Sequence, residues 1–393
     1  MSTNRAKPGL LIAAAFVGPG TVTICTLAGA THQYELLWVL LISTIVTIFL
    51  QEMVSRLGIV TGKDLPLLIK QEIKYPWIKY GSIGLIMAAI IVGNASYEAG
   101  NISGAALGLN VLGGLKNYAP LIIGSVAFIL LAIGSFDLIQ KFLTGLVLLM
   151  SASFAITAVM TMPSLSLLLS GLLLPSFPED GLLLILGLVG TTIVPYNLFL
   201  HASLVTQGWN VSELKTLRKD TIISIGIGGI ISMCIVICAA AIPANTEISG
   251  IEGLAKGLTT LYGSYANVLI SMGLFAAGIT SAITAPLAAA YVAAGCFGWS
   301  SDLRSIRMKI VWGSILIIGI AFSSLGYKPI DVIRFAQVAN GLLLPTVSIF
   351  ILWLAMNKKL LGGYVNKAWQ SGFGLIIILL MIILGAKSIL SVL

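Results

Sequence analysis

Long apolar runs follow one another along the chain, separated by short polar stretches. Most are about 20 residues or longer, the length that an α-helix needs to cross a hydrocarbon core. Lipid offers the backbone no hydrogen-bond partners, so such runs are expected to be helices. The alternation of period two that marks membrane β-strands is absent. The pattern predicts eleven membrane helices, near 8–30, 36–55, 79–112, 119–138, 141–162, 182–205, 220–243, 261–297, 306–325, 329–356 and 372–392.

Two of these spans carry a helix-breaking motif at their middle. Span one contains Gly18-Pro19-Gly20-Thr21, and span six contains Pro195 within residues 191–197. Proline removes a backbone donor, and glycine lowers the cost of unwinding. A break at membrane depth is tolerated only where it lines a cavity or is buried in protein. An ordinary proline kink in each helix is the alternative interpretation.

The two breaks occupy matching positions, because spans one and six each begin a group of five spans. This arrangement predicts a secondary transporter built from an inverted repeat. We expect one transmembrane domain over residues 1–393, with repeat one near 8–162 and repeat two near 182–356. An additional helix is expected near 372–392. Span three, with Gly100, Gly104 and Gly108 at four-residue spacing, is expected to pack closely against its neighbours.

Composition and charge agree with a membrane protein. Of 393 residues, 58% are hydrophobic and 9% are charged, against roughly 25% charged in ordinary soluble domains. Most basic residues fall on one side of the predicted spans, whereas Lys116, Lys256, Lys328 and Lys387 fall on the other, with Arg334 near a helix start. The positive-inside rule then predicts a cytoplasmic N-terminus and an extracytoplasmic C-terminus in the cell membrane. Topology therefore explains the net charge of +8 without a nucleic-acid partner.

Several segments carry a resemblance to a known family. They are residues 56–65 (RLGIVTGKDL), residues 104–110 (GAALGLN), Pro195 with residues 198–204 (LFLHASL), and Gln337-Val338 with Pro345. On these segments the chain resembles the Nramp family of proton-coupled divalent-metal transporters over nearly its whole length. The resemblance implies an all-α fold of the leucine-transporter type, with two inverted five-helix repeats and an eleventh helix.

The sequence departs from the family at the metal site. That site is implied to contain an Asp-Pro-Gly-Asn motif in span one and a Met-Pro-His motif in span six. The four ligand positions here hold Gly18, Thr21, Val194 and Tyr196. A dication at mid-membrane without an anionic ligand would have little to offset its desolvation. Gln337, which in the family helps to close over the metal, is retained.

The departures favour a different substrate. A half-helix that starts after Gly20 presents backbone N–H groups with partial positive charge, which can receive an anion. Our leading interpretation is therefore a carrier of a small amino acid or related carboxylate, with no cofactor and no metal ligands. The expected substrate-binding residues are Gly18, Gly20, Thr21, Thr23, Thr191, Val194, Tyr196, Asn197, Gln337 and Asn340.

Polar residues inside span three suggest coupling to protons. Asn94, Glu98 and Asn101 share one helix face, and an intramembrane carboxylate is a functional candidate. His201 lies one turn after Asn197, and histidine can change its charge near neutral pH. We expect Glu98, Asn101 and His201 to couple transport to H⁺. Structural hydrogen bonding is the alternative for Glu98 and His201.

Two other functions stay open from the sequence. One is transport of a divalent cation, Mg²⁺ or Mn²⁺, which would keep much of its hydration shell. The other is a channel or a non-transporting sensor. The sequence has no GxxxxGK[ST] loop that would indicate a primary pump. It also has no soluble catalytic domain, so we do not expect an enzyme.

Overall fold

A computed structural model describes residues 17–114, 118–133, 137–206, 209–243, 246, 248–300, 302 and 305–390. Within these residues every regular element is a helix, and none is a strand. The start of predicted span one (residues 8–16), together with Arg5, Lys7, Lys116 and Arg304, lies outside the described residues.

The chain winds back and forth as a series of long and short helices. The helices up to the second break are α1 (Pro19–His32), α2 (Leu37–Thr61), α3 (Leu65–Glu72), α4 (Pro76–Gly113), α5 (Ala119–Ile133), α6 (Asp137–Met160), α7 (Leu165–Leu173) and α8 (Leu182–Thr192). The others are α9 (Pro195–Val205), α10 (Leu214–Ala240), α11 (Ile251–Ala255), α12 (Thr259–Tyr262), α13 (Ala266–Phe297), α14 (Ile306–Ser323), α15 (Pro329–Ala355), α16 (Lys358–Leu361) and α17 (Ala368–Leu390).

The predicted spans are confirmed in the part of the chain that the structure describes. Nine segments there are long and apolar enough to cross a membrane, and α8 and α9 together form one of them. The shorter apolar helix α5 matches a tenth predicted span, and α1, with 14 residues, lies within predicted span one. The predicted limits differ by a few residues, since α4 already starts at Pro76 and α10 at Leu214. The bounds of the two repeats stay a prediction.

Helix α4 lies at the centre of the packing, in extensive contact with α13, α14 and α15. Its small residues make this possible. A Cβ added to Gly104 would overlap the ring of Pro19, and one added to Gly108 would overlap the carbonyl oxygen of Ser271. The same addition at Gly100 would lie 3.2 Å from the Cβ of Ala336. The predicted close packing along this glycine ridge is confirmed, and it holds α4 against the start of α1.

Candidate functional site

The sixth span is broken between α8 and α9. Ile193 (φ −104°, ψ 90°) and Val194 (φ −93°, ψ 117°) leave the helical conformation, and α9 resumes at Pro195. In a continuous helix the carbonyl of Thr191 would accept from the N–H of residue 195, but proline has none. The neighbouring carbonyl of Thr192 accepts the hydroxyl of Thr47 at 3.3 Å. A break is present as predicted, but we expected residues 191–196 to be unwound and only Ile193 and Val194 are non-helical. The carbonyl of Thr191 is left without a helical partner.

The described part of span one begins at its break. Gly18 is extended (φ −92°, ψ 179°), and α1 begins at Pro19 without a side-chain cap. We expected residues 18–21 to be unwound, but the helix already includes Pro19, Gly20 and Thr21. The reason is that proline has a φ suited to the first helical position and no N–H to lose there. Of residues 18–21, only Gly18 is therefore non-helical.

The two breaks contact each other in the interior. The hydroxyl oxygens of Thr21 and Thr191 form a hydrogen bond of 3.0 Å across 170 residues of sequence. Helix α15 packs beside both breaks. The side-chain amide of Gln337 lies against Gly20, and its backbone carbonyl lies against Gly190, so a Cβ at either glycine would overlap it. The structure thus brings Gly20, Thr21, Thr191 and Gln337 together.

Buried oxygens without partners surround this junction. Asn197 and Gln337 are 3% and 1% exposed, yet Asn197 Oδ1 and Gln337 Oε1 have no hydrogen-bond partner among the described residues. Both oxygens are acceptors. Asn340, one turn from Gln337, instead has an unpaired donor, Nδ2. Because an unpaired buried polar group is costly, such a cluster is typical of a ligand site.

The other predicted binding residues have different surroundings. Val194 and Tyr196 lie in a small apolar cluster, where the rings of Tyr97 and Tyr196 meet edge to face at 5.3 Å. The Tyr196 hydroxyl has no hydrogen-bond partner in the described part of the chain. Thr23 is fully buried with an unpaired hydroxyl. No hydrogen bond between described residues joins Thr23 to the other predicted binding residues.

Glu98 lies inside the bundle with a partner on its own helix. Asn101 Nδ2 donates to Glu98 Oε2 at 3.4 Å, while Oε1 has no partner among the described residues. The backbone of α14 packs onto this side chain, since a Cβ at Gly319 would lie 2.5 Å from Glu98 Cγ. Asn94, on the same face, donates instead to the carbonyl of Ala285 at 3.0 Å. On this face Asn94 therefore joins α4 to α13, whereas one carboxylate oxygen of Glu98 has no partner among the described residues.

His201 has a buried partner that the sequence interpretation missed. Its Nδ1 lies 2.6 Å from Oε1 of Gln51, whereas Nε2 is unpaired within the described residues. Gln51 and Thr47, which contacts the break, lie one turn apart on α2. Two polar residues at this spacing in an apolar span were a signal that could have identified them. Together they connect α2 to both α8 and α9.

A charged cluster secures the end of α2 away from the breaks. Arg56 is 2% exposed, pairs with Glu52 at 3.2 Å, and donates to the carbonyl of Tyr364 and to Asn366 Oδ1. Glu52 also pairs with Arg218 at 2.7 Å. The cluster ties α2 to α10 and to the segment before α17. These partners of the two terminal guanidinium nitrogens offset much of the cost of burying the charge, whereas Nε of Arg56 has no partner among the described residues.

Asp64 caps the short helix α3 outside the membrane-spanning segments. Its Oδ1 accepts the N–H of Leu67 at 3.0 Å. Burial raises the pKa of this carboxyl above its usual value, and the hydrogen bond from Leu67 partly opposes the shift. The carboxyl packs close to Gly295, where an added Cβ would lie 2.8 Å from Oδ2. It therefore holds α3 against the end of α13.

Charged ligands do not cluster at the junction. Within the described residues, no group of three His, Cys, Asp or Glu side chains is arranged to hold a metal ion. A cation at the junction would be held by uncharged oxygens: the carbonyl of Thr191 and the amides of Asn197 and Gln337. Such oxygens suit hard cations that retain part of their water shell.

Comparison with known proteins identifies the family that the chain matches. The profile described as "Natural resistance-associated macrophage protein-like" (Nramp) matches residues 9–391. The divalent metal cation transporter MntH of Pectobacterium carotovorum is 26% identical over 388 residues, covering 95% of this chain and 91% of that protein. The MntH of Bacillus subtilis is 27% identical over 391 residues, covering 96% and 89%.

Solved structures show the same fold. A manganese transporter of Eremococcus coleocola superposes with a TM-score of 0.79 at 21% identity, covering 98% of this chain and 85% of that one. MhsT in complex with L-phenylalanine gives a TM-score of 0.63 at 15% identity, covering 96% and 98%. At these identities the matches establish the fold alone. They confirm the predicted polytopic helical fold of the leucine-transporter type.

The predicted carboxylate substrate is wrong. The relatives that match nearly the whole chain are named divalent metal cation transporters. The prediction relied on the N–H groups at the start of a half-helix, and it overlooked the carbonyl end of α8 at the same junction. The unpaired oxygens of Asn197 and Gln337 are acceptors, which a carboxylate could not satisfy.

Proposed function

Because the chain belongs to the Nramp family, we propose that it is a secondary transporter of a divalent metal cation, with Mg²⁺ and Mn²⁺ as the candidates. Two findings support the class of substrate. The relatives named MntH cover nearly all of the chain, and the start of α1 meets the break between α8 and α9 in the protein interior. The transported cation is what we propose, whereas the fold is established by the match to solved structures.

One observation carries the proposal: buried acceptor oxygens that lack partners among the described residues lie on the helices that meet at the carbonyl end of α8. Half-helix C-terminal ends and unwound carbonyls coordinate cations in transporters of this fold class. Here the carbonyl of Thr191 lacks a helical partner because residue 195 is proline. Asn197 Oδ1 and Gln337 Oε1 add two buried acceptors that no donor of the described residues reaches. A dication with its remaining water molecules can satisfy all three oxygens.

The uncharged ligands favour a cation that keeps water. Replacing a whole hydration shell with three neutral oxygens would leave most of the desolvation cost uncompensated. Mg²⁺ dehydrates reluctantly and usually keeps several waters in protein sites, so it fits this ligand set well. Thr21, whose hydroxyl bonds to that of Thr191, would orient water rather than bind the ion directly. Asn340 has an unpaired Nδ2 donor that could likewise hold a bound water.

We propose that Glu98 couples transport to H⁺ and that Asn101 and His201 assist this coupling. Glu98 is fully buried and has one unpaired oxygen, and an intramembrane carboxylate is a functional candidate by default. Its neighbour Tyr97 contacts Tyr196 at the break, so side chains in contact connect the carboxyl group of Glu98 with the proposed cation site. We also place the protein in the cell membrane with its N-terminus in the cytoplasm.

Uptake by purified protein in liposomes tests the function. Lumenal dyes that respond to Mn²⁺ or to Mg²⁺ should report saturable uptake of at least one ion. Gln337→Leu removes the amide oxygen at similar size, so we expect uptake to fall by about tenfold, equivalent to about 1.4 kcal/mol. Gln370→Leu, outside the junction on α17, is the matched control and should leave uptake unchanged. Folded protein that transports neither ion above empty liposomes would contradict the proposal.

A further inference from the structure

A cavity lies away from the helix breaks, among α4, α14 and α15. Its volume is about 700 Å³, within the usual range of small-molecule sites. Its walls are almost entirely apolar, and Val92, Ser96, Phe322 and Phe335 are among the residues that line it. Asp331, in the first turn of α15, is the one charged residue in the lining. None of these residues belongs to the proposed transport site.

The cavity opens onto the outer surface of the helix bundle. Val92 is 57% exposed, Phe322 is 54% exposed, and Phe335 is 66% exposed. In a membrane protein this apolar surface faces lipid. Water would find too few polar partners to fill such a space stably. An acyl chain can fill it, because the packing of α4 against α14 and α15 leaves an apolar crevice with an open side.

Asp331 marks one end of this crevice. No hydrogen bond or ion pair between described residues involves its carboxylate, and the side chain is exposed. Tyr327, which also lines the crevice, is 66% exposed. Tyrosines at helix ends are typical of the membrane–water interface. The carboxylate therefore lies at the level of lipid headgroups, where a headgroup ammonium is its complement in charge.

We propose that this crevice binds one phospholipid, with an acyl chain between α4, α14 and α15 and a primary-ammonium headgroup on the carboxylate of Asp331. A primary ammonium donates hydrogen bonds to the carboxylate, and such charge-assisted bonds are stronger than neutral ones. A trimethylated headgroup has no N–H to donate. Arg334 follows Asp331 by three residues, so it lies about one helical turn away on α15, where it can pair with the phosphate of the same headgroup. The inference does not depend on which ion the protein transports.

Native mass spectrometry of the purified protein can test the site. The protein would be mixed with equal amounts of phosphatidylethanolamine and phosphatidylcholine of identical chains, and with phosphatidylglycerol in a separate arm. We expect one phosphatidylethanolamine to be retained over phosphatidylcholine by about threefold, within the range of an exposed ion pair. Asp331→Asn should abolish this preference. Glu252→Gln removes another exposed carboxylate and should preserve it.

Filling the crevice provides a second test that does not rely on charge. Val92→Phe places a ring inside it and should remove one bound lipid of either headgroup. Val111→Phe, on the same helix at 48% exposure, is the matched control and should retain it. Equal retention of the two headgroups by the wild type would overturn the proposal. So would a stronger preference for phosphatidylglycerol, an unchanged preference in Asp331→Asn, or an unchanged lipid count in Val92→Phe.

Discussion

The contact between Gly104 and Pro19 yields a sharp prediction, because it places the start of α1 against α4. A Cβ added to Gly104 would lie 2.7 Å from Cγ of Pro19, whereas carbon atoms in contact prefer about 3.5–4.0 Å. Gly104→Ala must therefore move α1 and α4 apart by at least roughly 1 Å, the difference between these distances, because the added Cβ overlaps the Cβ of Pro19 even more closely. Overpacking of this kind costs about 1–3 kcal/mol.

Alanine also favours the helix over glycine by about 0.8–1.0 kcal/mol, so the net destabilisation should be about 0–2 kcal/mol. The matched control is Gly84→Ala, on the same helix, where nothing lies within 4 Å of an added Cβ. That variant should gain up to about 1 kcal/mol from helix propensity alone. The comparison cancels the propensity and isolates the contact with Pro19.

The assay is thermal unfolding of both variants in the same detergent, followed by cation uptake in liposomes. We expect a lower midpoint temperature and slower uptake for Gly104→Ala, and unchanged or improved values for Gly84→Ala. The reduced uptake should follow because Pro19 starts the half-helix at the break. Identical unfolding and uptake in the two variants would show that α1 does not pack against α4 as described.

Three further changes test separate parts of the structure. Glu98→Gln keeps the shape of the side chain but cannot ionise, so uptake should lose its pH dependence. Glu252→Gln is the control. An unchanged pH profile in Glu98→Gln would leave Glu98 with a structural role. Asp64→Asn should be as stable as wild type or more stable at pH 7. The reason is that burial raises the pKa of Asp64, and a carboxyl group of this kind lowers the free energy of unfolding as the pH rises through its folded-state pKa. Asp64→Ala loses the cap as well, at about 1 kcal/mol relative to Asp64→Asn, and chemical denaturation that ranks Ala above Asn would refute this. Gln51→Leu leaves Nδ1 of His201 unpaired, at a cost of about 1–3 kcal/mol in unfolding free energy, and no change in denaturation would contradict the pairing seen at 2.6 Å.

Much of the fold could be predicted because its determinants are local in sequence. Apolar runs determine where the spans lie, Pro195 determines where α9 begins, and the glycines of α4 allow neighbouring helices to pack closely against it. The unwound stretches were predicted too wide in both spans, because proline at the first helical position starts a helix as readily as it ends one, and helices begin at Pro19 and at Pro195.

The site was harder to predict because its contacts join distant parts of the chain. Thr21 meets Thr191 across 170 residues, and His201 meets Gln51 across 150. A sequence pattern identifies a buried polar residue without naming its partner. The substrate was predicted wrongly for a related reason. The missing charged ligands were visible in the sequence, but the unpaired oxygens of Asn197 and Gln337 become apparent only in three dimensions.

The position of a bound cation tests the central claim most directly. Crystals grown with Mn²⁺ and measured near the manganese absorption edge would locate the ion by its anomalous signal. We predict one peak at the junction of α1, α8 and α9, coordinated by the carbonyl of Thr191, by Asn197 Oδ1 or Gln337 Oε1, and by water. No peak there at saturating Mn²⁺, or a peak only at surface carboxylates, would contradict the proposal that these neutral oxygens form the cation site.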